Sequence, residues 1–399
     1  MYTPNKSILR KYAEVMVDFA LGKGQGIKRG DIVYLEYDSE GLPLALAVYE
    51  RILEKGGNPI VRSKEELFDR ILLESGNEDQ LKFVPKKYFK ALINTIDHRL
   101  YIKATRDPLL LRKVPPKRIM LANEGKKIFK KWFFDKEDKG KLTWSLCLYG
   151  TANMAKEAGL TLKSYWEQIT KACFLDKENC IKRWKDTFSM IYKIKSKLNK
   201  LPVDRFRVIS DKTDLYIKWG EKRKWIGGRG ANIPSFEIFT APDWRGTNGN
   251  VFFDFPLYRY GNIIKNIYLE FKNGKVVKAS ADKNEKLLHE MLKQKNADKI
   301  GEFSLTDKRL SRIDHFMAET LYDENFGGKY GNCHMALGSS YHDCYSGDKK
   351  KMRENNWNKL GFNDSGEHCD IINTLKKEVW AFLKDGSRKL IYKDGQFVI

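Results

Sequence analysis

Apolar positions recur at helical spacing through residues 8–28 and then give way to a glycine-rich exit. DIVYLEYD (31–38) reads as a strand, LALAVYERILEKGG (44–57) as a helix stopped by glycines, and NPIVRS (58–63) as the next strand. A strand, a helix and a strand in that order form one βαβ unit, which implies parallel strands with helical crossovers. RLYIKAT (99–105) and LTWSLCLYG (142–150) read as further strands, while SILRKY and RIMLANEGKKIFKKWFF add helices. In LTLKSYWEQITKACFLD the apolar residues fall at helical spacing, so its aromatics read as core. The glycines after the first strand do not form GxGxxG, which argues against a dinucleotide site.

The polar run KIKSKLNKLPVD (193–204) reads as a helix end and connector. After it the period changes. DRFRVIS, DLYIKWG, SFEIFT, VFFDFPL, KNIYLEF and KVVKASA alternate with a period of two and are separated by Gly, Asn and Asp turns. FKNGKVV carries an Asn-Gly hairpin signal, and NEKLLHEMLKQKNA (284–297) reads as one inserted helix. The expected fold class is α/β, or α+β overall. An N-terminal α/β domain with a parallel sheet would cover residues 1–200, and a mainly β C-terminal domain residues 201–399.

At 399 residues, 42% hydrophobic and 13% aromatic, the chain has the composition of a folded protein of about two domains. The formal net charge of +22 raises the question of a nucleic-acid or membrane-surface partner. The positive charges, however, are interleaved with acids, as in KKWFFDKEDKGK, and no arginine-rich arm, helix-turn-helix, finger or RNP signature occurs. The expectation is a lysine-rich solvated surface. No stretch approaches the ~18 apolar residues of a membrane span, and the first residues lack the apolar core of a secretory signal. Six cysteines without a CxxC pair suggest reduced thiols and a cytoplasmic protein.

The candidate chemistry lies in the second half. Glu237 sits in SFEIFT and Glu302 in IGEFSL, each a lone acid among apolar residues. Such a carboxylate either needs a cation or donor, or points to the wet face of its strand. Glu324 lies in YDENFGG, a turn or a glycine-rich approach to a ligand. His334 and Tyr341 are seven apart: on one face if the segment is helical, on opposite faces if extended. His368 and Asp370 form an H-x-D pair that shares a face in a strand. Three of the six histidines, His334, His342 and His368, fall within 35 residues. Carboxylates with imidazoles and no thiolate suit a hard or borderline divalent cation and hydrolysis by bound water. His342 is a candidate outer-layer group, and Cys333 and Cys369 read as small buried residues.

Taken together these segments resemble the aminopeptidase T / aminopeptidase S family of metalloaminopeptidases. NIPSFEIFTAPDW is similar to the family's Asn-Leu-Pro-x-Gly-Glu-Val-Phe-Thr-Ala-Pro run, with Phe236 where the family commonly has Gly. LYDENFGGKYGNCHMALGSSY resembles the Asp-Glu-Asn, His and Tyr segment, and GFNDSGEHCDI the Asn-Asp-Ser-x-x-His-x-Asp ending. The FGGKYGN stretch lengthens the interval between Glu324 and His334 relative to some members. The resemblance implies two divalent ions per subunit (Zn, Co, Mn or Mg) held by Glu237, Glu302, Glu324, His334, His368 and Asp370. It also implies removal of N-terminal residues from short peptides by metal-activated water, with Tyr341 as oxyanion donor and Glu302 or Glu324 as proton shuttle. A homodimer is implied as well; membrane and nucleic-acid partners are not. Two other readings stay open on the residues alone: a metal-dependent amidase or phosphodiesterase, and a basic nucleic-acid-binding protein whose affinity would fall steeply with salt.

Overall fold

A computed structural model describes residues 2–352 and 354–399. The chain divides into two compact units: 1–186 with 229–235, and 187–228 with 236–399.

The first unit is built on a five-stranded parallel sheet. Its order is Asn58–Lys64, Ile32–Asp38, His98–Lys103, Thr143–Leu148 and Asn232–Ile233. The expected βαβ unit is present: helix Leu42–Glu54 connects the first two strands in sequence and buries Leu44, Ala45, Val48 and Ile52. It ends at Gly56, whose φ of 73° is the left-handed conformation that a glycine stop supplies. The N-terminal apolar run forms helix Lys6–Val15, a π-turn at Met16–Ala20, and a short exit at Leu21–Gly24. Among the described residues no helix is long and apolar enough to cross a membrane.

The second unit is β-rich and antiparallel. An eight-stranded sheet runs in the order Lys275–Ser280, Ile267–Lys272, Asn248–Phe253, Thr213–Lys218, Val203–Ser210, Glu378–Leu383, Arg388–Lys393 and Gln396–Phe397. The Asn-Gly signal is a tight hairpin: Asn273 and Gly274 both have positive φ, and Lys272 pairs with Lys275. The inserted helix is shorter than its apolar pattern, Glu285–Leu292, because Asn284 enters in a left-handed conformation and the chain leaves the helix after Lys293.

A second, four-stranded sheet runs in the order His368–Asn373, Asn332–Gly338, Ile300–Thr306 and Glu237–Thr240. Every residue of Ile300–Thr306 and Asn332–Gly338 is buried. Such strands are covered on both faces, so they read as continuous apolar runs, with little alternation. On one face Phe303 meets Phe206 of the eight-stranded sheet and Trp225, each with ring centroids 5.7 Å apart. The other face holds the polar residues described next.

Candidate metal centre

Residues that oppose each other in an antiparallel sheet project to the same face, and alternate residues share it. Ala336 pairs with Glu302 on one side and with Asp370 on the other. His334 pairs with Ser304, Gly338 with His368, and Thr306 with Glu237. One face of the sheet therefore presents Glu237, Glu302, His334, His368 and Asp370. The opposite face presents Ile238, Phe303, Leu305, Cys333, Met335, Cys369 and Ile371, all buried. Cys333 and Cys369 thus point away from the polar cluster.

The ligand-type atoms of Glu237, Glu302 and His334 lie within 4.8 Å of one another. His334 Nε2 is 3.2 Å from Glu302 Oε1 and 3.4 Å from Glu237 Oε2. His368 Nε2 is 3.3 Å from Asp370 Oδ1 and 3.8 Å from the other oxygen of Glu302. Glu302 thus faces one imidazole with each carboxylate oxygen, between a Glu237–His334 pair and a His368–Asp370 pair.

Both imidazoles are oriented from behind. His334 Nδ1 donates to the backbone carbonyl of Glu324 at 3.1 Å, and His368 Nδ1 to that of Ser339 at 2.8 Å. A carbonyl can only accept, so each Nδ1 carries a proton, and Nε2 is the nitrogen left to face the carboxylates or an ion held among them. That tautomer, fixed by an outer partner, is the one a metal-binding histidine needs.

Glu324 reaches the site from the end of the short helix Thr320–Asp323. Asp323, beside it, accepts the N–H groups of Met317 and Glu319 and so fixes the loop that leads in. Asn325 accepts the Phe236 N–H at 2.6 Å, and donates to Leu321 O at 3.0 Å and to Glu324 Oε1 at 3.4 Å. Asn332 donates to Glu324 O at 2.9 Å and to Phe326 O at 2.8 Å. These two asparagines were not singled out from sequence, although Asn325 belongs to the Asp-Glu-Asn run. Phe236 is fully buried, so the position of the family's usual glycine is occupied here by core.

Tyr341 lies outside the strand. The segment is extended, so parity alone would send Tyr341 away from His334. The strand ends at Gly338, with φ of 106°, and the chain bends. The Tyr341 ring comes within 4.8 Å of the His368 ring and 6.1 Å of Phe239, and stays 43% exposed. His342 stacks flat on Trp357 at 3.9 Å.

Crowding of charge shows in the titration of these groups. Burial and then its neighbours' charge push Glu324 well above the carboxylate range, and burial lifts Glu302 to about 7. Burial also opposes ionisation of Asp370, but His368 outweighs it and holds the carboxyl at about 2. Burial works against a charged His334, yet Glu237 and Glu302 hold it well above the usual imidazole value. His368 rises to about 9 because Asp370 and Glu302 outweigh its burial. Four carboxylates share a pocket with only two imidazoles, and a divalent cation is the group that relieves such a set. The donor chemistry fits one: oxygen and imidazole nitrogen, without thiolate.

A family model described as Thermophilic metalloprotease (M29) matches residues 5–397. Aminopeptidase PepS of Streptococcus thermophilus is 27% identical over 424 residues, covering 100% of both chains. Aminopeptidase AmpS of Bacillus subtilis is 25% identical, covering 98% of each. Aminopeptidase T of Thermus thermophilus is 24% identical, covering 98% of this chain and 99% of the relative. The structure of wild-type AmpT from Thermus thermophilus superposes with a TM-score of 0.83 at 22% identity, covering 99% of this chain and all of that one.

Proposed function

Because the chain belongs to the M29 family of thermophilic metalloproteases, we propose that it is a two-metal aminopeptidase that removes N-terminal residues from short peptides. The observation that carries the two-metal reading is Glu302, whose two oxygens face different imidazoles. Glu237 and His334 would complete one ion's shell, and His368 and Asp370 the other's, with Glu324 closing the set. Divalent ions so held, whether Zn, Co, Mn or Mg, would supply the chemistry of an activated water and a polarised scissile carbonyl.

The chain's own groups do the rest. Glu302 or Glu324, both raised in pKa by burial, would carry a proton to the leaving amine. Tyr341, whose hydroxyl is kept protonated by its surroundings and by the nearby carboxylates, would donate to the developing oxyanion. All of these residues lie in 201–399, which we take as the catalytic domain, with 1–200 as the N-terminal α/β domain. A cytoplasmic setting fits the six cysteines, all buried as thiols.

A homodimer is supported by the surface of the first unit. Leu42, Leu46, Tyr49 and Leu53 line the outer side of helix Leu42–Glu54, and Leu67, Phe68, Ile71 and Leu72 stand exposed on helix Glu66–Ser75. Between them in sequence, Ile60 and Val61 are exposed on the strand that ends the parallel sheet. An unpaired strand edge flanked by apolar side chains is surface that natural proteins cover.

The test is release of fluorophore from aminoacyl-coumarins by chelator-treated protein, with Co, Zn, Mn or Mg added back. Metal-restored cleavage of free amines, but not of N-acetylated substrates, is expected. Cleavage of the acetylated compounds would sink the exopeptidase reading, and no cleavage with any metal would sink the peptidase reading.

A further inference from the structure

The His368 strand lies at the edge of the four-stranded sheet, so only one of its sides is held by a neighbouring strand. Segment 252–262 laces it down at both ends. At the far end Asn373 donates to Phe252 O at 2.7 Å, and Asp254 accepts the Thr374 N–H at 2.7 Å. At the same end, one residue in, the Phe255 N–H reaches Ile372 O at 3.3 Å. At the near end, where His368 begins the strand, the tie is ionic. The Arg259 guanidinium donates to Glu367 Oε2 at 2.6 Å, and the Tyr260 hydroxyl to Glu367 Oε1 at 2.8 Å.

These donors sit on a tight hairpin. Leu257–Arg259 pairs with Asn262–Ile264, and Tyr260 and Gly261 turn the corner with φ of 51° and 68°. The Arg259 guanidinium carbon lies 4.9 Å from the centre of the Tyr260 ring. Both Glu367 oxygens are therefore met by adjacent residues of one rigid turn. Glu367 is 5% exposed, and its backbone carbonyl accepts the Ser339 N–H at 2.7 Å. Ser339 in turn offers the carbonyl that orients His368. The Arg259 Nε–H is buried without an acceptor.

We infer that Arg259, with Tyr260, is a positioning residue for the metal centre: through Glu367 it fixes the start of the edge strand and so the place of His368 and Asp370. The inference rests on reading those two residues as ligands. It weights the effect toward the His368–Asp370 half, since Glu237 lies on the opposite edge strand and His334 on an interior strand that Glu367 meets only beyond its end, at Ser339.

The experiment is titration of the full-length protein with Co(II) and with Zn(II) against a competing chelator, for wild type, H368A, R259M, R259K, E367Q, Y260F and R259M/E367Q. R259M is expected to weaken one of the two ions, the one also weakened in H368A, about tenfold or more, with the other unchanged. R259K should recover part of the loss, and the double variant should lose no more than the worse single one, because both act on one contact. Activity of R259M should return at excess metal, which a general structural defect would not allow. Affinity of R259M within about threefold of wild type, or additive single effects, overturns the inference. If R259M does not fold, Y260F and E367Q decide: unchanged affinity in both overturns it. Unchanged metal binding in H368A would instead overturn the ligand reading itself.

Discussion

Gly301 is the position where a single methyl group most directly tests how the sheet places its ligands. It precedes Glu302 at a bulge in the pairing with the His334 strand. A Cβ there would lie 2.4 Å from the carbonyl oxygens of Gly338 and Ser339 and 2.7 Å from the Ser339 carbonyl carbon. Ordinary contact begins near 3.4 Å, and backbone has no rotamer to swing aside. Gly301→Ala must therefore part the two strands by about 1 Å, directly beside Glu302 and the Ser339 carbonyl that orients His368. Overpacking of this kind costs ~1–3 kcal/mol, a fraction of the ~5–15 kcal/mol that holds a domain folded. The variant should fold. Displacement of a reacting group by about 1 Å costs on the order of 100-fold in rate. Urea denaturation, metal content and kcat/KM on one substrate measure the two effects separately. Gly366→Ala is the control, because its Cβ would meet nothing within 4 Å. Gly301→Ala with kcat/KM within about threefold of wild type would show that the strands part there without moving Glu302 or His368.

Other consequences follow from the same structure. Phe303→Ala removes a fully buried ring set against Phe206 and Trp225; it should cost ~3–5 kcal/mol in chemical denaturation, and a cost under about 1 kcal/mol would contradict the packing described. If the proposed homodimer forms through this surface, wild type should sediment as a dimer and Leu46→Asp with Phe68→Glu, at positions 56% and 73% exposed, as a folded monomer; an unchanged dimer would place the interface elsewhere. Glu66 is lifted to about 7 by burial and by Asp38, so between pH ~4.5 and ~7 the folded chain keeps a proton that the unfolded chain has released. Stability of the first unit should fall as pH rises through that window, and Glu66→Gln should flatten the slope; a slope unchanged by the substitution would show that other groups set it.

Much of this architecture is written locally. Alternation in Thr213–Lys218 and Ile267–Lys272, the Asn273–Gly274 turn and the glycine stop after helix Leu42–Glu54 are all decided by a few neighbouring residues. The H-x-D pair is legible for the same reason, since a strand carries His368 and Asp370 to one face. What a single sequence does not carry is pairing over distance. Glu237 and Glu302 are joined by a register, Thr306 to Glu237, that no local pattern specifies. Tyr341 was ambiguous because its place depends on a bend after Gly338, not on the parity of a helix or strand. The Asn325 and Asn332 side chains act on backbone carbonyls, and such contacts leave no periodic signal. The outer side of helix Leu42–Glu54 is apolar like its inner side, so its pattern showed a helix without showing which face would stay exposed.

The proposed centre holds two ions between one sheet face, with Glu237, Glu302, His334, His368 and Asp370, and Glu324 beside it. Metal content per chain, measured on wild type, His334→Ala and Asp370→Ala after dialysis against a defined free Zn(II) or Co(II) concentration and paired with peptidase activity, tests it most directly. Two ions are expected in the wild type, with loss of bound metal and of activity in each variant. Two ions and full activity retained in either variant would contradict it.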